Sequence, residues 1–577
     1  MNAVEALLQS VQQCKTTTTS DLPIITIMMT VAVSFFVFLF VSVVTRAHES
    51  EAFSLATRWR WTKKTVVASA TATNSPSTPT GPDTSVHTEP SFRWWQDFSF
   101  AATGGVDDAQ DDDCLSVDAE ADITHFCFLV HGHRGFSKDL SYVATAMRRV
   151  AATEKAKRRP DDAATTDRVE SQSQPPQPIE QAVLRHDMVV HSVCCNEGKT
   201  TDGVINGGER LVEEIMSVIR QEMKNRRPLS DSDDEDEGCI RDVTISILGN
   251  SLGGIYARYA IAKLAEQCHQ VSSGCYLLDG KIRLMMNIFC TTASPHLGVS
   301  GHTFLPLPRT AEIGVAHAMG DTGKDLFRLN DLMKTMATHP DFLVPLGSFK
   351  KRICYANAFG TDFPVPTNTA AFLNKASTYP HHFIDDNAQE GDQLVVDESG
   401  LVIATLHTPP NSNNESKEDV TPSMEQQTDN DELVLMSMSL DSLGWKKVFV
   451  DVRKEVPNIA LPKSLRRRNS SNVTNDSGDG EELDDSSERL RQIDRLKRRK
   501  VVSSSDVAAV TAPIFEEKLH WPVGHNMIVA FSRSPWSTYM NRGGRPLVDA
   551  LAKELVEAIF TWSNQTTHSD APVETVI

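Results

Sequence analysis

The stretch "SILGNSLGGIYARYAI", residues 246–261, constrains the fold of this 577-residue chain more than any other segment. It runs from β-branched residues through Gly249-Asn250-Ser251-Leu252-Gly253 into a helix-like sequence. A G-x-S-x-G turn between a strand and a helix is so sharp that side chains at its two glycine positions would collide with neighbouring backbone. The pattern therefore predicts that Ser251 stands at a helix N-terminus, where backbone N–H groups face developing negative charge. The alternative is a glycine-rich loop with an incidental serine.

Short apolar runs before and after this turn predict further strands. They do not alternate between polar and apolar residues, which is typical of strands buried on both faces. Helical patterns separate several of them, including "GERLVEEIMSVIRQEM" and "RPLVDALAKELVEAIF", the second opened by Pro546. The alternation predicts an α/β fold, a mostly parallel central sheet flanked by helices. The runs are "HFCFLV" (125–130), "MVVHSV" (188–193), "VTISIL" (243–248), "LMMNIFC" (284–290) and "RICYAN" (352–357).

The folded domain is predicted to span 122–565, with four disordered insertions in its surface loops. Each insertion combines charge with few aromatic residues, and loop-closure entropy tolerates such length. On this interpretation, deletion of the last insertion would leave stability nearly unchanged. The insertions are expected near 153–178, 228–238, 408–431 and 462–505; 45–121 is expected to be a low-complexity tether, and 1–21 and 566–577 tails.

Residues 22–44, "LPIITIMMTVAVSFFVFLFVSVV", predict an N-terminal transmembrane helix. They run 23 residues without a charge, and about 20 apolar residues suffice to cross a bilayer. A signal peptide would need a short basic leader, whereas the preceding residues carry Glu5, Lys15 and Asp21. A buried helix is the other alternative. The expectation is a single-pass membrane protein that contacts the bilayer through residues 22–44.

Composition argues against two other classes of protein. The chain has 57 Lys+Arg against 76 Asp+Glu, a formal net charge of −19, so it lacks the electrostatic footprint of a nucleic-acid partner. Its ten cysteines are scattered without a C-x-x-C, which fits neither a zinc site nor a dense disulfide framework. We expect reduced, mostly buried thiols, and neither a metal nor an organic cofactor.

A serine nucleophile needs an oxyanion site, and the turn after the first predicted strand offers one. This turn reads His131-Gly132-His133-Arg134-Gly135. α/β-Hydrolases take one oxyanion N–H from the turn that leaves such a strand. The expected donors are the backbone N–H groups of His133 and Leu252. His131 could be a base, although a histidine that opens this turn more often fixes the loop through hydrogen bonds.

The nucleophile also needs an acid and a base, which follow it in that order on this fold. Asp362, in "YANAFGTDFPVP", follows a predicted strand and is the candidate acid; the alternative is an Asx turn before Pro364. The segment "LHWPVGHNMIVAF" offers two candidate bases. His525, beside Gly524 and an apolar run, is favoured over His520, which abuts a tryptophan and could simply pack.

Six ordered blocks of the chain resemble the lipase-like putative serine esterase family of the α/β-hydrolases. The resemblance implies an α/β-hydrolase fold and hydrolysis of lipid or acyl esters, with Ser251 as nucleophile, Asp362 as acid, His525 as base and residues 131–135 as the oxyanion loop. Where the family commonly has a hydrophobic residue and a Trp-Gly-like sequence after His-Gly, this chain has His133-Arg134, which predicts a more polar pocket mouth. The blocks are "FLVHGHRG", "NEGKTTDGVINGGERLVEEI", "ILGNSLGGIYARYAI", "TTASPHLGV", "YANAFGTDFPVP" and "GHNMIV", and they cover roughly 122–365 and 512–535.

These observations favour a membrane-tethered serine esterase or lipase that acts on lipid or acyl-ester substrates. Two alternatives stay open. The same fold could serve as a catalytically idle membrane scaffold whose insertions dock partners. An acyltransferase would use the same residues and pass the acyl group to an alcohol instead of water.

Two sets of motifs disagree on which side of the membrane the domain lies. Arginine and lysine residues follow the predicted span at positions 46, 58, 60, 63 and 64, which favours the cytosol. In "LRRRNSS" three arginines come just before Ser470, and acidic residues come just after Ser230 and Ser232. Cytosolic kinases recognise such charge patterns. Five triplets, beginning at Asn414, Asn469, Asn472, Asn475 and Asn564, would accept glycans in the lumen.

We predict a cytosolic domain, and glycosidase digestion of the membrane-bound protein tests this. The expected outcome is no mobility shift, together with phosphate on Ser470, because the charges that flank the span favour the cytosolic side. A shift on digestion would place the domain in the lumen.

Overall fold

The predicted buried strands form the centre of one large sheet. A computed structural model describes residues 123–158, 186–226, 240–301, 308–384, 399–410, 429–456, 458–460, 485–514, 518–520 and 523–561. All of them belong to one compact unit, 92–461 with 468–577. The described strands are β1 (Ile123–Val130), β2 (His186–Ser192), β3 (Arg241–Asn250), β4 (His269–Ser272), β5 (Cys275–Leu278), β6 (Ile282–Thr292), β7 (Lys351–Asn357), β8 (Pro380–Phe383), β9 (Val402–His407), β10 (Lys446–Val450), β11 (Asn458–Ala460), β12 (Val501–Ser503) and β13 (Lys518–His520).

Helices connect most of these strands. Two short 3₁₀ turns, Ser137–Leu140 and Arg542–Gly544, lie beside them. The described helices are α1 (Ser141–Arg158), α2 (Val204–Asn225), α3 (Leu252–Gln267), α4 (Arg309–Ala318), α5 (Gly320–Leu326), α6 (Leu332–Thr338), α7 (Pro340–Gly347), α8 (Thr367–Ala370), α9 (Asp429–Asp441), α10 (Asp485–Lys497), α11 (Ser504–Val510), α12 (Gly524–Met527), α13 (Pro535–Met540) and α14 (Arg545–Thr561).

The strand order of the main sheet is β12-β8-β9-β10-β7-β6-β3-β1-β2. From β10 to β2 every neighbouring pair is parallel. The strands on the other side, β9, β8 and β12, pair antiparallel. β4 and β5 form an antiparallel extension of β6. The predicted mixed α/β fold with a mostly parallel central sheet is therefore confirmed.

Helices cover both faces of the sheet, because alternate residues of the central strands point to opposite sides. In β1, Phe126, Phe128 and Val130 join the hydrophobic core that contains α2 and α3. Cys127 and Leu129 join a second core that contains α1 and α14. A strand buried on both faces needs apolar side chains at successive positions, which accounts for the unalternating run at 125–130.

One predicted insertion is partly ordered. Within 462–505, α10, β12 and the start of α11 are regular structure, so the prediction of disorder is wrong there. Ile493 and Leu496 of α10 are buried in the large hydrophobic core that also contains residues of α2 and α3, and β12 pairs with β8. The segment is polar overall, but Ile493 and Leu496, three positions apart, lie on one face of α10 and reach the core.

Most of the remaining predicted insertions lie outside the described residues. α1 continues through residue 158 and α9 begins at residue 429, so the ordered chain extends slightly into two of them. The predicted tails, the tether and the predicted span at 22–44 also lie outside the described residues. Among the described helices, none is long and apolar enough to span a bilayer.

The seven described cysteines form no disulfide, and Cys127, Cys268, Cys290 and Cys354 are buried. Burial raises the pKa of the Cys127 and Cys354 thiols to about 12, so both stay protonated at neutral pH. These residues act as small apolar core side chains.

The packing of α10 gives a stability prediction. Ile493→Ala is expected to lower the free energy of unfolding by roughly 2–5 kcal/mol, because it leaves a cavity in the core. Leu490→Ala, on the same helix but 40% exposed, is the matched control and should change stability by about 0.5 kcal/mol or less. Thermal unfolding of the full chain measures both. Equal, small effects would show that α10 does not pack on the core.

Candidate active site

The candidate site residues follow strands that end at one edge of the sheet. Ser251 directly follows β3, the turn 131–135 directly follows β1, and Asp362 lies five residues after β7. The carboxyl ends of parallel strands meet at the same sheet edge, where α/β proteins bind their ligands. The fold therefore brings together residues that are separated by more than a hundred positions in sequence.

Ser251 occupies the sharp turn that the sequence predicts. Its backbone has φ 56° and ψ −127°, in the left-handed half of φ space that non-glycine residues rarely adopt. A Cβ at Gly253 would lie 2.2 Å from the carbonyl oxygen of Val130, and a Cβ at Gly249 would lie 2.4 Å from the Cα of Gly254. The Ser251 N–H donates to the carbonyl of Thr292 at 2.9 Å. Close backbone packing thus holds Ser251, the candidate nucleophile, in a strained conformation.

The turn after β1 packs directly against the nucleophile. A Cβ on Gly132 would lie 2.7 Å from the Cβ and 3.2 Å from the Oγ of Ser251. The carbonyl of Gly132 accepts hydrogen bonds from the Gly135 N–H at 3.0 Å and from Nδ1 of His131 at 3.1 Å. Because N–H and C=O point in opposite directions in a trans peptide, these bonds direct the N–H of His133 away from the interior of the turn.

His131 fixes this turn. Its side chain is buried, and burial lowers the pKa of the imidazole. Since a carbonyl only accepts, Nδ1 carries the proton that bonds Gly132. The geometry favours the loop-fixing interpretation of His131 over the alternative of a catalytic base.

His525 and Asp362 form a histidine–carboxylate pair in which the carboxylate is buried. Nδ1 of His525 lies 3.1 Å and 3.0 Å from the two carboxylate oxygens of Asp362, which is 1% exposed. Asp362 also accepts from Nδ2 of Asn357 and from the N–H of Val365, both at 2.9 Å. The carboxylate thus makes an Asx-type turn and the contact to histidine together. With Nδ1 as donor, Nε2 is the nitrogen able to take up a proton.

The loop that carries His525 is fixed to the loop that carries Asp362. Val523 and Asp362 form an isolated antiparallel bridge, and the Gly524 N–H donates to the carbonyl of Thr361 at 2.7 Å. His525 is the next residue along the chain. His520 instead ends β13, which pairs with β11.

An arginine that the sequence analysis did not identify joins the C-terminal segment to the oxyanion turn. Arg533 donates to both carboxylate oxygens of Asp139, at 2.8 Å and 2.7 Å, and to the carbonyl of Arg134 at 2.9 Å. Thr200 Oγ1 accepts from the N–H of Arg134 at 2.8 Å. Arg134 has φ 50°, so these bonds hold a strained residue next to His133. Nothing in the sequence marks this pair, because Asp139 and Arg533 are 394 residues apart.

The environment of His133 is also unusual. Burial, with Arg134 nearby, lowers the pKa of its imidazole to about 4. The ring is therefore neutral at physiological pH. Among residues 131–135, the formal charge therefore comes from Arg134.

A serine in a strained strand-to-helix turn and a histidine–carboxylate pair at the same sheet edge are features of a serine hydrolase. Residues 169–373 match the family described as putative serine esterase (DUF676), which confirms the predicted resemblance to a family of serine esterases. The matched segment contains Ser251 and Asp362, whereas His133 and His525 lie outside it.

Two solved structures are similar to part of the chain, the Bacillus licheniformis lipase BlEst2 in its propeptide form and in its mature form. Sequence identity is 14% and 13%, and the TM-score is 0.20 in each case. Each match covers 42% of this chain; it spans 36% of the propeptide form and 67% of the mature form. No curated protein matches the chain in sequence.

The contacts of Arg533 predict a positioning role. Arg533→Met is expected to lower kcat for ester hydrolysis roughly 10- to 100-fold with little change in KM, because it releases the turn that carries His133. Asp139→Asn should have a similar effect, and the double variant should lose little more than either single variant. Steady-state kinetics measure all three.

Arg220→Met is the matched control, because its ion pair with Asp279 is exposed and lies away from this edge. It should leave kcat unchanged. A lower melting temperature of Arg533→Met with an unchanged kcat would assign Arg533 a structural role only.

Proposed function

We propose that the protein is a membrane-tethered serine esterase or lipase that cleaves acyl esters of lipids through an acyl-enzyme. The observation that carries this proposal is the pair of His525 and Asp362, fixed at the same sheet edge as the strained Ser251. A histidine held by a buried carboxylate and a serine in such a turn are the components of nucleophilic acyl transfer.

In this mechanism Ser251 attacks the acyl carbonyl. Nε2 of His525 takes the serine proton and then gives it to the leaving alcohol, while Asp362 holds the tautomer that carries the proton on Nδ1. Water then attacks the acyl-enzyme with Nε2 of His525 as its base. The proton returns to Ser251, and the carboxylic acid is released. The reaction needs no group beyond these side chains and two backbone donors.

The oxyanion that forms during attack is assigned to the N–H groups of His133 and Leu252. Leu252 is the first residue of α3, and the first N–H groups of a helix have no acceptor within the helix. The turn of His133 packs against Ser251. Two such donors lower the barrier most when they are fixed before the reaction begins.

The lipid substrate is inferred from the predicted anchor. Residues 22–44 would hold the domain beside a bilayer, and the positive residues after them favour the cytosolic side. Substrates that reside in membranes, such as glycerolipids, lysophospholipids or acylated proteins, would then lie within reach. The kinase-type motifs around Ser230, Ser232 and Ser470 are consistent with this sidedness.

The site predicts the response to three substitutions. Ser251→Ala, Asp362→Asn and His525→Ala should each lower esterase turnover by roughly 10³-fold or more, because the three side chains act as a unit. His520→Ala is the matched control and should retain activity. A fluorophosphonate probe should label the wild type but not Ser251→Ala. Equal labelling of both, or activity that depends on His520 instead of His525, contradicts the assignment.

A panel of esters, thioesters and membrane lipids then identifies the acyl acceptor and the substrate. Release of free acid from lipid esters supports the proposal. Transfer of the acyl group to an added alcohol would identify an acyltransferase, and a correctly folded wild type that neither reacts with the probe nor turns over any ester would identify a scaffold.

A further inference from the structure

The segment that follows His525 exposes two large aromatic side chains. No residue of α13 is buried, and Trp536 and Tyr539 are 46% and 56% exposed. Their rings stack at a centroid distance of 6.4 Å, and the guanidinium of Arg542 lies 4.3 Å from the ring centroid of Tyr539. We call Trp536, Tyr539 and Arg542 the rim surface.

The rim surface lies at the edge of the sheet that carries the active site. Arg533, two residues before α13, binds the carbonyl of Arg134 in the oxyanion turn. On the other side of α13, a Cβ at Gly544 would lie 1.7 Å from the carbonyl oxygen of Met527, at the end of the helix that carries His525. Both ends of the exposed segment therefore contact the site.

The segment that carries the rim surface has a net charge opposite in sign to that of the chain. Residues 518–548 contain one lysine and three arginines and no aspartate or glutamate, in a chain of net charge −19. Arg533 is paired with Asp139, and Glu455 lies against Gly543. Arg542 and Arg545 instead lie over the rings of Tyr539 and Tyr142. The local surface is thus aromatic and cationic.

We propose that the rim surface docks on an anionic lipid bilayer. Tryptophan and tyrosine rings favour the interface between headgroups and acyl chains, since one part of each ring is apolar and another forms hydrogen bonds. An arginine beside them is attracted by anionic headgroups. Charge complementarity favours this occupant over a neutral apolar partner.

The proposal rests on the proposed function, because docking at this edge would bring Ser251 to esters that the same bilayer presents. The predicted anchor at 22–44 would hold the domain near a membrane but would leave its orientation undefined. The rim surface would supply the orientation.

The experiment uses the full chain reconstituted in nanodiscs of phosphatidylcholine, with or without phosphatidylserine. One readout is the ratio of turnover of an ester embedded in the bilayer to turnover of soluble p-nitrophenyl butyrate. The other is quenching of tryptophan fluorescence by brominated lipids at low and high salt. Trp536→Phe removes one of the eight fluorescent tryptophans of the chain, the one on the rim surface, and keeps an aromatic ring.

Docking predicts that Trp536→Ser/Tyr539→Ser lowers the bilayer-to-soluble ratio at least about fivefold in anionic discs, with soluble turnover unchanged. Arg542→Gln should lower the ratio about fivefold. Quenching should be stronger in anionic discs, weaker at high salt and reduced in Trp536→Phe. Val344→Ser, which changes a 57% exposed residue of α7, and Arg220→Gln are controls for exposed apolar area and net charge, and both should match the wild type.

An unchanged ratio in the double aromatic variant, or quenching that Trp536→Phe does not alter, overturns the proposal. A wild-type dimer that the double aromatic variant abolishes would also overturn the proposal, because the rim surface would then be a contact between two copies of the chain. If the wild type shows neither probe labelling nor soluble turnover, the proposed function is rejected instead. The quenching would still report on docking.

Discussion

The rest of the site depends on one close approach of backbone to backbone. The turn at Ser251 is possible only because Gly253 lies against the carbonyl of Val130 and Gly132 lies against Ser251 itself. Two elements that a side chain would hold apart are therefore in contact, and Ser251 and the turn at 131–135 are fixed relative to each other. A methyl group at Gly253 would have to displace strand backbone, since the atom it meets belongs to β1.

The histidine–carboxylate pair is held by hydrogen bonds and not by a close steric contact. Asp362 holds His525 by hydrogen bonds, and the backbone bridge between Val523 and Asp362 keeps the two loops in register. The carboxylate is buried but has three donors, so its desolvation is compensated. The site is thus assembled from one steric contact and one polar network, which respond to different substitutions.

Much of this arrangement could be predicted from local sequence. The strands β1, β2, β3, β6 and β7 are buried on both faces and appear as apolar runs, and the glycines around Ser251 mark its turn. The antiparallel strands β8 and β12 are short and lack such runs, whereas β9 has an apolar run that the sequence analysis did not assign. α10 is polar enough to resemble a disordered insertion, because only a few of its residues reach the core. The contact of Arg533 with Asp139 leaves no local signal, since it depends on how distant segments pack.

The hydrogen bonds of Arg533 to Asp139 and to the carbonyl of Arg134 also bear on when the site forms during synthesis of the chain. Ser251 and its turn leave the ribosome long before His525 and Arg533, because those two residues come from the last tenth of the chain. A nascent chain can therefore form the turn at Ser251 before it contains the candidate base, His525, or the arginine that holds the turn at 131–135, Arg533. On the proposed mechanism, hydrolytic capacity would arise only when the C-terminal segment has docked, so an incomplete chain would be inert toward esters.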